Sequence, residues 1–193
     1  MREQLDDWFQ DLKSVLTGPS EFFEQLEDYS LGQSAKFAGL MGALIGGLIG
    51  LVVILFGVVS PGATGTSAVT SVVIGLLMPV LLGVFYILNA FISGALMHVV
   101  AYALGMRDVE KTVSAFTYSL SITVISWIPL INFLAAIYSL YIQYVGIKKL
   151  HDTTPFRAFI VAISLPVAGM LLYIALLVMV LAGSTAPATV PAQ

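Results

Sequence analysis

Residues 68–104 read AVTSVVIGLLMPVLLGVFYILNAFISGALMHVVAYAL, a run of about 37 residues without one charge. About 20 apolar residues suffice to cross a bilayer core, so this run is too long for one simple span. If it crosses twice, the chain has six spans. If it crosses once, the chain has five, and a single helix would extend about 55 Å against a core of about 30 Å. A single crossing therefore requires a tilted helix kinked near Pro79, or a separate half-helix over 68–78 leading into the span.

The charges choose between these readings. All eight Lys and Arg and all eleven Asp and Glu fall in segments 1–36, 105–111 and 148–157. One crossing by 68–104 puts these three islands on one side of the membrane, and the other side then carries no charge. The positive-inside rule selects that arrangement, with the N-terminus cytoplasmic and the C-terminus outside. The expected spans are 37–59, 68–104, 112–128, 131–147 and 157–182. They are separated by the breaker-rich turn Ser60–Ser67, the second island, the turn after Trp127-Ile128-Pro129 and the third island. The tail 183–193, with Pro187 and Pro191, is expected to be disordered.

The expected fold class is thus all-α: a polytopic membrane bundle of five transmembrane helices behind an amphipathic cytoplasmic head, residues 1–36. The composition agrees. The chain of 193 residues is 59% hydrophobic and 10% charged, where a soluble domain carries roughly 25% charged residues. That excludes a soluble enzyme, a nucleic-acid binder and a disordered linker. With no Cys, disulfides, thiolate metal sites and Cys nucleophiles are impossible. The N-terminus lacks the basic and apolar regions of a signal peptide, so the first span reads as a retained anchor.

In the head, Leu5, Trp8, Phe9, Leu12, Val15 and Leu16 share one helical face, with Asp6, Asp7, Asp11 and Lys13 off it. Gly18-Pro19 punctuates, and Pro19 suits the first position of a second helix with Phe22, Phe23, Leu26 and Tyr29 on its apolar face. Ser30 to Gln33 has capping-box spacing and opens the first span. The apolar face of the head either lies on or folds under the bundle, or offers Trp8, Phe9, Leu12, Phe22 and Phe23 to a cytoplasmic protein partner. The acidic polar face disfavours anionic lipid and favours a basic partner. The loop 148–157 is an intramolecular candidate for that role.

Within the spans, Gly42, Gly46 and Gly50 recur every four residues. Such a face admits a neighbouring helix backbone, in the same chain or in a homo-oligomer. Apart from the tyrosines, and from Arg157 at the edge of the last span, His98 is the only ionisable side chain inside a span, and ion-coupled transporters usually place a charge there. His98, Asn132, Tyr138, Tyr141 and Gln143 are the candidates for lining a polar groove between the third and fourth spans. Trp8 and Trp127 would mark the two interfaces. No catalytic or metal-binding spacing occurs, and no pattern calls for a cofactor.

The order of several motifs resembles the Yip domain family, the Ypt-interacting proteins. The carriers are Val15-Leu-Thr-Gly-Pro19 followed by Glu21-Phe-Phe23, the long second apolar segment ending in His98 and Gly105, and Ile128-Pro129 with Ile137-Tyr138. Val145-Gly146-Ile147 with His151, Arg157-Ala158 and Pro166 complete the set. The resemblance implies five spans with a cytoplasmic N-terminus. The short head is similar to that of bacterial and archaeal members, which implies a plasma-membrane location; eukaryotic members act in ER–Golgi traffic and bind small GTPases. The expected function is a non-enzymatic membrane adaptor or scaffold. The alternative is a passive transporter, channel or lipid-handling protein using the polar groove.

Overall fold

The computed structural model describes residues 2–60, 67–126 and 129–184. The expected belt residue Trp127, the centre of the Ser60–Ser67 turn and the tail beyond Ser184 lie outside the described residues. Among the described residues the chain is all-α. Two head helices, α1 (Arg2–Thr17) and α2 (Pro19–Gln25), precede α3 (Leu31–Val59), α4 (Ala68–Ala103), α5 (Val109–Ser119), α6 (Thr123–Ser126), α7 (Pro129–Leu150) and α8 (Pro155–Ser184). Three of these, α3, α4 and residues 155–181 of α8, are long and apolar enough to cross a membrane.

The deciding stretch is one unbroken helix, so it neither folds back nor forms a separate half-helix over 68–78. It passes through Pro79, whose missing N–H deprives the Gly75 carbonyl of its helical partner. That carbonyl lies against Gly50 of α3, and a Cβ at Gly75 would in turn sit 2.6 Å from the Gly50 carbonyl oxygen. The two backbones meet at paired glycines, where Cα–H groups approach carbonyls. A Cβ at Gly46 would lie 2.5 Å from the Met78 carbonyl oxygen and 2.7 Å from Pro79 Cα. Gly42 meets Leu82 and Gly83 in the same way. The period-four glycine face is therefore used within the chain, joining α3 to α4.

The third pass differs from the expected span 112–128. Asp108 caps α5, its carboxylate accepting from the Glu110 N–H at 3.1 Å and the Lys111 N–H at 3.4 Å. After eleven residues the helix tightens into a 3-10 turn, Leu120–Ile122, before α6. Hydroxyls compete for the backbone here: Ser119 Oγ donates to the Phe116 carbonyl at 2.6 Å, and Ser126 Oγ to that of Thr123 at 3.1 Å. Every residue of α5 from Thr112 to Ser119 is buried. The helix packs against α3, α4, α7 and α1 and is the axis of the bundle. By contrast α8 packs on α4 and α7, and its buried residues Ala158, Val161 and Ala162 lie near its start. From Pro166 to Leu181 all its residues are exposed.

Candidate functional site

The head is part of the bundle. Trp8, Leu12, Val15, Phe22 and Phe23 are buried in the same core as Phe37 and Tyr118. Tyr118, on the axial helix, gathers three rings from two other elements: Phe22 at 4.8 Å, Phe23 at 6.1 Å and Phe37 at 4.6 Å between centroids. Gly146 of α7 admits Phe23, since a Cβ there would lie 2.9 Å from Phe23 Cζ and 2.8 Å from Ala115 Cβ. The Tyr138 hydroxyl donates to the Leu16 carbonyl at the end of α1 (2.8 Å). Glu24 pairs with Lys149, so the basic loop does meet the acidic head. Trp8 packs on Phe37 at 6.0 Å between centroids and is buried, which corrects its reading as an interfacial belt residue. Of the five residues expected to offer a docking face, Phe9 alone is exposed.

Two local departures shape this junction. The second head helix ends at Gln25, short of Leu26 and Tyr29. In the extended linker that follows, Asp28 accepts the Ser30 N–H at 2.9 Å, and Ser30 Oγ accepts the Gln33 N–H at 3.3 Å to cap α3. The hydroxyl and N–H of Ser30 hold the Asp28 carboxyl below its ordinary range. The Tyr29 carbonyl accepts from Ser114 Oγ at 2.8 Å, which ties the linker to α5. Asp11, Glu21, Glu27 and Asp28 line an open groove of about 490 Å³ on the outer side of the head. Burial, then the neighbouring Asp7, pushes the Asp11 carboxyl up.

The two histidines of the chain converge on one hydroxyl. His98 Nδ1 of α4 lies 2.9 Å from Thr112 Oγ1, and His151 Nε2, just past α7, lies 3.0 Å from the same atom. Two left-handed residues aim these ends. Gly105, φ 92°, closes α4, with the Met106 N–H donating to the Ala101 carbonyl at 3.0 Å. Asp152, φ 45°, closes α7 likewise, with the Thr153 N–H donating to the Lys148 carbonyl at 3.2 Å. Thr112 has one hydroxyl proton. That proton goes either to the Asp108 carbonyl, 3.5 Å away, or to one imidazole, and any ring it does not serve must itself donate to Oγ1. Burial, then the Lys111 charge, holds His151 down at about 4, with His98 adding to the depression and Asp108 opposing it. Thr112 is fully buried, so this cluster fastens α4, α5 and the end of α7 together. Among the described residues, no group of three or more His, Asp or Glu is placed to hold a metal ion.

Of the residues expected to line a polar groove, Tyr138 and Tyr141 lie together, ring centroids 5.7 Å apart, and the others have separate partners or face outward. His98 belongs to the cluster above and Tyr138 to the head contact. Gln143 is buried, its Nε2 donating to Ser119 Oγ at 3.1 Å. Tyr141 and Asn132 are exposed on α7. Sequence reading passed over Thr112 and the centrality of Tyr118, and it met His151 only as part of a motif. The Asp108-to-Thr112 spacing, a cap followed one turn later by a hydroxyl, is the signal that was available.

The Yip1 domain family model matches residues 13–177. The chain belongs to the Yip1 domain family. The matched stretch takes in the end of α1, all of α2, and the bundle as far as Leu177. The Yip1 domain thus includes the Phe22–Phe23 contact with Tyr118, the glycine seam and the His98–Thr112–His151 cluster, while Trp8, Phe9 and Leu12 precede it. Family and helix character together make this an integral membrane protein. Comparison with curated proteins and with solved structures gave no match.

Proposed function

We propose that this Yip1 domain is a non-enzymatic membrane adaptor that crosses the bilayer five times, with its N-terminus cytoplasmic and C-terminus outside. The passes are α3, α4, α5 with α6, α7 and α8. The charge distribution supports the sidedness, since every Lys and Arg lies at the head end. Reporter fusions at the two termini should report opposite compartments; both in one compartment would overturn the topology. The observation that carries the adaptor reading is the way the head is held. Its inner face is fixed in the core through Trp8, Leu12, Val15, Phe22 and Phe23, while Leu5 and Phe9 stay exposed with Asp6. That is a rigid, acidic-rimmed apolar surface, suited to a partner with basic and apolar side chains.

Deleting the head is not a clean test, because it would uncover the core around Tyr118. Phe9→Asp in the full chain is the cleaner test, because Phe9 is exposed and meets the core only at the edge of Trp8, 4.8 Å between ring centroids. A partner co-purified from native membrane should be lost with Phe9→Asp while the melting temperature stays the same. Unchanged recovery of the partner would count against the reading.

A further inference from the structure

A second surface feature lies at the head end, on the other flank of α1. There α1, α3 and α4 enclose an open crevice of about 690 Å³, within the size range of small-ligand sites. Its rim and its floor differ in chemistry. Asp7 of α1, with Gln33 and Lys36 of α3, supplies the rim, while Leu40 and Ile87 supply the floor. Gly39 keeps the floor open, since a Cβ there would already stand 3.2 Å from Ile87 Cδ1. Lys36 is the last charge before the apolar run, and no other charge follows until Arg107. Lys36 and Asp7 are both exposed, line the same crevice and form no ion pair with each other. Asp28 feels the Lys36 charge, but only as the smallest influence on its carboxyl. Trp8 stands in the same wall, its buried indole N–H without an acceptor among the described residues.

From this juxtaposition we propose that the crevice binds a single ethanolamine phospholipid, with the phosphate at Lys36, the ammonium at Asp7 and Gln33, and an acyl chain along Gly39, Leu40 and Ile87. The order of charges decides the headgroup. In such a lipid the phosphate is next to the glycerol and the ammonium is distal. In the crevice the cation adjoins the apolar floor on α3 and the anion lies across on the head helix. A purely anionic headgroup would satisfy Lys36 but press against Asp7. A primary ammonium can donate to the Asp7 carboxylate and the Gln33 amide oxygen, and a quaternary one has no proton to give. The proposal rests on the preceding section only in placing Lys36 at a membrane surface. It does not require an adaptor role, and the Phe9→Asp experiment tests that role separately.

The test uses the purified full chain in maltoside micelles with Trp127→Phe, so that Trp8 in the crevice wall is the remaining tryptophan. Its fluorescence is followed while dihexanoyl phosphatidylethanolamine, phosphatidylcholine or phosphatidylglycerol is added. The ethanolamine lipid should saturate at least tenfold tighter than the other two. Lys36→Gln and Asp7→Asn should each weaken it at least fivefold, with the melting temperature unchanged. Equal affinity for phosphatidylglycerol, no saturable response to any lipid, or indifference to both substitutions would each overturn the proposal. Should either variant fail to fold, the lipid ranking on the parent protein still decides it.

Discussion

At the head end, the helices are joined by side chains: the ring cluster on Tyr118, the hydroxyl shared by His98 and His151, and the Tyr138 bond to the head. At the far end, they are joined by backbones. There α3 and α4 close on each other through glycine, and the residues of α8 from Pro166 to Leu181 are exposed. The difference follows from the surroundings. In lipid, burying an apolar side chain against another helix gains little, because the tails it leaves are equally apolar. Close backbone approach and the dispersion contacts it brings do the joining. Where the head covers the bundle, hydrogen bonds and aromatic packing set which helix meets which, and at what height.

Substitutions at matched positions can break this contrast. The largest effect is expected at the glycine seam. Gly46→Leu must drive α3 off Met78 and Pro79, whereas Gly47, one residue on, has nothing within 4 Å of a Cβ. Gly46→Leu should cost more than about 4 kcal/mol, or prevent recovery of folded protein in detergent. Gly47→Leu should melt like the parent. Equal behaviour of the two variants in a thermal-unfolding assay would dissolve the seam.

The head contact comes next. Phe23→Ala removes a buried ring between Tyr118 and Gly146 and should cost about 3 kcal/mol. Phe9→Ala, on the exposed side and in contact only with the edge of Trp8, should cost no more than about 1 kcal/mol. If both variants melt alike, the head is not docked as described.

The histidine cluster predicts a pH dependence. Burial and Lys111 hold His151 down at about 4, against an ordinary value of 6.5. The unfolded chain therefore takes up the proton first as the pH falls. The contribution is fully present above pH 6.5 and is lost between 6.5 and about 4. Because the ring is partly solvated, the loss should be on the order of 1–2 kcal/mol rather than the full linkage value. His151→Gln should flatten that part of the stability–pH curve; an unchanged slope would remove His151 as its source. The smallest effect belongs to Lys149→Ala. Glu24 is exposed and Lys149 partly so, and such a pair is worth under about 1 kcal/mol, so a larger fall in melting temperature would assign it a weight the geometry does not suggest.

Much of this was legible in the residues, for reasons that are local. Pro19 at a helix start, Ser30 as the cap of α3 and the glycine period on α3 depend on neighbours within one turn, so the chain announces them. The extent of the apolar runs is local too, because a helix satisfies its backbone without help from elsewhere. The groove expected from His98, Asn132, Tyr138, Tyr141 and Gln143 was not legible. Polarity in a span says that a side chain needs a partner but does not say which one, and here the partners are Thr112, the Leu16 carbonyl and Ser119. Nor could the pattern of the head show whether its apolar stripe faces lipid, a partner or its own bundle.

By itself, then, the sequence determined an all-α membrane protein and its kinship with the Yip1 domain family. Only the tertiary structure decided that α5 is the axis, that the head is built into the core, that two distant histidines share one hydroxyl, and that Lys36 and Asp7 face one crevice. Helix formation and membrane compatibility are fixed by contacts a few residues apart. Those other relations join positions tens of residues apart, and packing alone brings such positions together.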